Sequence, residues 1–125
     1  MRAQNARPED GGERIIAHEA MAHESFCDSL ADARVSAAAF CEEAGEVLGP
    51  VEAEWLMLAA DNARDIVAEL EARDPPIGDP EAIEALASAQ WREEWAATVQ
   101  ELCAKEARLL DCLHKAWRGE IPPEP

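Results

Sequence analysis

Seven residues between Phe26 and Val47 constrain this chain most. Phe26, Leu30, Ala33, Ala37, Phe40, Ala44 and Val47 step along the sequence by four, three, four, three, four and three. An apolar residue at this mean spacing returns to one side of an α-helix and lays down a seam that other helices must cover. Neighbours then run nearly parallel or antiparallel to it. A strand alternates its side chains with period two and cannot use such a pattern. Few β-branched residues and no alternating stretch elsewhere leave no room for a sheet. The expected fold class is therefore all-α.

Glycine and proline divide the chain into segments. Residues 1–12 are polar, end in Gly11-Gly12 and read as a flexible leader. Gly49-Pro50 supplies a helix terminator followed by a residue suited to a first turn. Asp74-Pro75-Pro76 ends the next segment, because a residue before proline is pushed out of the helical region. Asp79-Pro80-Glu81 then resembles an N-cap, a proline at the first helical position and an acid in the first turn. Arg118-Gly119 closes the last helix, and residues 119–125 form an extended, proline-rich tail. One bundle domain over residues 13–118 follows, with helix A at about 13–48, helix B at about 50–73 and helix C at about 80–118. Short connections make consecutive helices antiparallel, in an up-down bundle. Its core draws Leu56, Ala59, Ala63, Ile66 and Leu70 from helix B, flanked by Trp55 and Val67. Helix C adds Trp91, Trp95, Val99, Leu102, Leu109, Leu110, Leu113 and Trp117.

The helix lengths are unequal. At 1.5 Å per residue, helices A and C reach ~54 and ~58 Å, against ~36 Å for helix B. Either helix A breaks around Ser25–Ser29, giving a four-helix bundle, or the overhangs pair with a second chain. In the second case Ile15, Ile16, Ile83, Leu86, Trp91 and Trp95 form a homodimer interface.

Charge restricts function. The 125 residues include 27 acidic and 11 basic side chains, for a net charge of −16. Sequence-independent nucleic-acid binding relies on cations displacing counterions from phosphates, so direct nucleic-acid binding is not expected. An anionic membrane surface is disfavoured for the same reason. No apolar run reaches the ~20 residues of a membrane span, and no apolar stretch follows Arg2 and Arg7 as in a secretory signal. The expected compartment is the cytoplasm, where the four cysteines stay reduced. Within one helix, Cys27 and Cys41 would stand ~21 Å apart and Cys103 and Cys112 ~13 Å, beyond disulfide reach.

Four groups of residues could carry chemistry. Glu19, His23 and Cys27 lie one turn apart in succession, and all three are zinc-ligand types. One straight helix spreads the outer two by ~12 Å, so the expectation is a half-buried histidine beside a core cysteine, with no metal. Glu106 falls inside the apolar stripe of helix C and calls for a partner, for which Arg34 and Arg64 are placed. Glu42-Glu43-Ala44-Gly45-Glu46 resembles the first half of the metal-binding signature of the all-α nucleoside triphosphate pyrophosphohydrolases. That resemblance implies magnesium held by E-x-x-E on one helix and E-x-x-D on the next. Glu43 and Glu46 match the first half; where the second should stand, Asp61-Asn62-Ala63-Arg64-Asp65 is D-x-x-x-D.

The fourth group is electrostatic. Glu24, Asp28 and Asp32 form one ladder on helix A, and Asp61, Asp65 and Glu69 another on helix B, each stepping by four. Like charges at this spacing cost a few tenths of a kcal/mol per pair, so the ladders need a reason. Their rungs are ~6 Å apart, near the spacing of phosphates along a nucleic acid. The expected function is a non-enzymatic binding protein, requiring no cofactor, that docks these six residues on a basic protein surface. Its sharper form is a nucleic-acid mimic that inhibits a nucleic-acid-binding complex, of the kind phages use against host defence. The alternatives are a magnesium-dependent nucleotide pyrophosphohydrolase-like enzyme and a structural or assembly adaptor.

Overall fold

The computed structural model describes residues 8–72 and 82–123, and among them every regular element is a helix. Helix α1 spans Pro8–Val47, α2 Pro50–Glu71, α3 Ala82–Ala87 and α4 Ala89–Arg118. The fold is an all-α helical bundle with long first and last helices, as the sequence implies. Helix α1 begins at Pro8, so residues 8–12 are helical where the sequence suggested a leader. It also runs unbroken through Ser25–Ser29, which removes the fourth helix expected from a break there. The expected Asp79 cap lies outside the described residues. The last segment instead divides at Ser88, whose backbone is extended and whose hydroxyl accepts a hydrogen bond from the Trp91 amide at 3.2 Å. That bond satisfies one of the donors a helix N-terminus leaves open, so α3 and α4 are separate helices.

Helix α2 lies in the middle. Its Trp55, Leu56, Ala59, Ala60, Ala63, Ile66 and Leu70 are buried, and it packs against both α1 and α4. All five core residues expected of this helix are there. Leu102, Leu109, Cys112 and Ala116 of α4 complete the core on one side, and Cys27, Ala38 and Cys41 of α1 on the other.

The α1 seam is centred about one residue later than its sequence reading: Leu30, Ala37 and Ala44 are half-buried against the core as expected, while Phe26, Ala33, Phe40 and Val47 are exposed. The buried positions are Cys27, Ala38 and Cys41, with Ala31, Arg34 and Gly45 half-buried in the same row. Phe26 and Phe40, each one residue earlier, are 56% and 65% exposed. Small side chains explain the shift. A methyl group added at Gly45 would meet Ala53 and Leu56 of α2 at 3.9–4.0 Å, so the two backbones run too close for a phenyl ring between them. Cysteine and alanine fit such a seam, and both are among the residues most often fully buried. Trp117, expected in the core, is 90% exposed, while Ala116 beside it is buried.

The long first helix is covered by its own chain. Helix α3 packs against α1, and His23 meets Trp95 and Trp91 edge-on at centroid distances of 4.8 and 5.6 Å. The two indoles stack on each other at 6.1 Å. Trp91 and Trp95, assigned above to an overhang, are thus half-buried in an intramolecular cluster. The side chains of Ile15, Ile16, Ile83 and Leu86 lie outside the described set.

At the other end, Trp55 donates its indole N–H to the Glu120 carbonyl at 2.6 Å, and Lys115 sits 5.1 Å above the same ring. Gly119 makes this turn possible with φ +64°, a left-handed conformation that side chains with a Cβ resist. Replacing Gly119 by alanine should lower stability by ~1–2 kcal/mol. Ile66→Ala, at a position with no exposure, should cost ~2–5 kcal/mol. Urea unfolding followed by circular dichroism measures both.

Candidate functional site

Consecutive residues on a helix are about 100° apart, so each buried position of α1 has one neighbour on either flank. Phe26 and Asp28 flank Cys27, and Phe40 and Glu42 flank Cys41. This sorts α1 into two unlike sides. One carries Glu24, Asp28, Asp32, Glu42 and Glu46; the other carries Phe26, Ala33, Phe40 and Val47 and no charge. The acidic side adjoins α2, whose Asp61 and Asp65 also point to water.

The six ladder residues occupy different surroundings. Asp28, Asp32, Asp61 and Asp65 are exposed, and Glu24 is half-buried. Asp61 is held by Arg64 at 3.1 Å, one turn along α2. Glu69 differs from the rest: it leans towards α4 and pairs with Lys105, with both side chains 19% exposed. Asp28, Asp32 and Asp65 form no ion pair among the described residues. The available surface is therefore five carboxylates on two adjoining helices, of which only Asp61 is in an ion pair among the described residues.

Glu106 finds the first of its two expected partners. The Arg34 guanidinium donates through Nε to Oε1 at 2.5 Å and through Nη2 to Oε2 at 2.7 Å, a two-pronged pair between α1 and α4. Both side chains remain about a quarter to a third exposed. Arg64, the other candidate, instead bridges α2 to Glu42 of α1. Among the described residues, no Cα atom of α1 comes within 8 Å of one in α4. The Arg34–Glu106 pair therefore spans an open groove of about 380 Å³, floored by Leu109 and edged by Ala37, Leu110 and Leu113.

The other constellations are modest. His23 Nε2 lies 3.8 Å from Cys27 Sγ, with Cys27 fully buried, matching the expected histidine beside a core thiol. The Glu19 side chain is outside the described set. Glu43 and Glu46 stand exposed on α1, and Glu42 beside them is neutralised by Arg64. Among the described residues, no three His, Cys, Asp or Glu side chains converge where a metal ion could be held. The four carboxylates therefore do not form the two-helix magnesium cradle that the E-x-x-E resemblance implies. No described helix is long and apolar enough to cross a membrane. The chain matches no protein-family model, no curated protein and no solved structure.

The thiols divide by environment. Burial pushes Cys41 above its ordinary value, helped by repulsion from Cys112. Burial also raises Cys112, reinforced by Asp111 and opposed by Lys115 and the Asn62 amide. Cys103 alone of the four is exposed. In dilute protein at pH 8, a thiol reagent should modify Cys103 rapidly and the other three only on unfolding. Raised thiols also fix a sign: the folded state holds these protons more tightly, so stability is intact below the ordinary thiol value of 9.0 and declines as pH rises past it. Urea midpoints at pH 8 and pH 10 should differ in that direction, and Cys41→Ala/Cys112→Ala should flatten the difference.

Proposed function

We propose that this protein is a non-enzymatic acidic docking module that binds a basic surface of another protein through Glu24, Asp28, Asp32, Asp61 and Asp65. One observation carries this reading: Asp28, Asp32 and Asp65 stand in water on adjoining helices and form no ion pair among the described residues. Ion pairs already engage most nearby bases. Arg34, Arg64, Lys105, Lys115 and Arg118 are all engaged with carboxylates. Of the six ladder residues, only Asp61 and Glu69 are answered in this way among the described residues.

Such a surface acts at long range. A net charge of −16 accelerates encounter with a cationic groove, and salt weakens that attraction. Rungs ~6 Å apart on each helix present anions at roughly phosphate spacing. The partner class this favours is a protein that itself grips nucleic acid, with inhibition by occupancy as the mechanism. A rigid helix pair suits that role, because carboxylates held by backbone lose little freedom on binding.

Affinity capture from the native host, compared between the natural chain and an Asp28→Lys/Asp32→Lys/Asp61→Lys/Asp65→Lys variant, tests the reading. The captured protein should be basic, should dissociate as salt rises from about 0.1 to 0.5 M, and should bind the variant at least ~10-fold more slowly. Equal association by a variant of unchanged helicity would remove these carboxylates from the contact.

A further inference from the structure

The side of the bundle facing away from the acidic ladders has an unpartnered apolar surface. Along α1 it presents Phe26, Phe40 and Val47, at 56%, 65% and 83% exposure. Along α4 it presents Val99, Leu110 and Trp117, at 36%, 54% and 90%. Both rims keep a seven-residue rhythm. The α4 row continues as Val99, Cys103, Glu106, Leu110, Leu113 and Trp117, stepping by four and three in alternation. Helices that repeat apolar residues in this way are shaped to receive other helices. The groove between the rims is open, since the backbones of α1 and α4 each approach α2 and not one another among the described residues, and the two helices meet only through the Arg34–Glu106 pair and, at the far end, His23 with Trp91 and Trp95.

We infer that this face is the interface of a homodimer, in which the α1 and α4 rims of one copy pack against those of a second. Charge selects the occupant. From Ala22 to Leu48 the apolar flank of α1 carries no charged residue, and the α4 row carries only Glu106, which Arg34 neutralises. Two copies of a chain at −16 repel over most of their surface, and here they can approach with their acidic ladders turned outward. A basic partner would gain nothing at an uncharged face and would be drawn to the opposite side. Periodicity selects it as well, because a two-fold pairing sets heptad-spaced rims against identical rims. The area is of the right order. At ~150–250 Å² per ring, the exposed parts of Phe26, Phe40 and Trp117 amount to roughly 400 Å². Val47, Val99 and Leu110 extend this to the greater part of the ~800 Å² each partner gives to a standard interface.

This interface differs from one through the Trp91 and Trp95 end of the molecule, where both rings are engaged with His23. It is also independent of docking through the carboxylates, and salt separates the two. Screening the repulsion between copies should strengthen the dimer while weakening electrostatic capture.

Sedimentation equilibrium of the full chain at micromolar concentrations tests the inference. The natural protein should sediment as a dimer, more completely at about 0.5 M salt than at 0.05 M. Phe40→Glu/Trp117→Glu changes two side chains that point to water in a single copy, so helicity should persist while the dissociation constant rises by about 100-fold or more. Phe26→Lys/Leu110→Lys, altering the other ends of both rims, should do the same and guards against a folding defect in the first variant. A natural chain that stays monomeric at about 100 µM, well above the Kd expected of an interface this size, would overturn the proposal. So would a dimer that both variants leave intact.

Discussion

The arrangement depends on the packing of α2 between its two neighbours. A helix 22 residues long buries a stripe broad enough to seat one partner on each side, built from Ala59, Ala60, Ala63, Ile66 and Leu70. Because α2 occupies the middle, the backbones of α1 and α4 stay apart among the described residues, and only side chains join them. The groove, the exposed aromatic rows and the long Arg34–Glu106 bridge all follow from that separation. A closed three-helix bundle would have had no use for such a bridge.

Much of this was legible in the sequence, and the failures share a cause. Helix α2 was read correctly because its apolar stripe is unbroken and its Gly49-Pro50 start is unambiguous. The partnership of Arg34 and Glu106 was foreseen because a carboxylate in an apolar row must be answered. On α1 the spacing places Leu30, Ala37 and Ala44 against the core, where they lie, and also Phe26 and Phe40, which are exposed. Apolar residues being favoured inside is a one-way rule, and much of a folded surface remains apolar. Cys27, Ala38 and Cys41 carry the same heptad spacing one position later, so the period was right and the centre of the stripe about one residue early. Spacing alone cannot choose between two offset rows; only the close approach of α2 does. Trp117 was misassigned for the same reason.

The Ser88 break was also within reach. Serine before a helical run is a favoured cap, but the preceding Asp79-Pro80 looked stronger, and one start signal was allowed to stand for the whole segment. The fate of Glu69 was harder to foresee. Its spacing from Asp61 and Asp65 puts it in the ladder, and only the packing of α4 beside α2 brings Lys105 to it. The surface thus separates into an acidic side and an uncharged side by a simple device. On α1, the residue before each buried cysteine is an aromatic, and an acid follows one or two positions later.

The Arg34–Glu106 bridge has a mechanical corollary. It joins two outer helices that share no backbone contact, and its side chains are partly in water, so it restrains their spacing without helping to form the core. Neither residue belongs to the buried core, so the bridge and the packing of α2 are separable contributions to the same fold: one sets how far apart the outer helices stand midway along the groove, the other holds each of them to the centre.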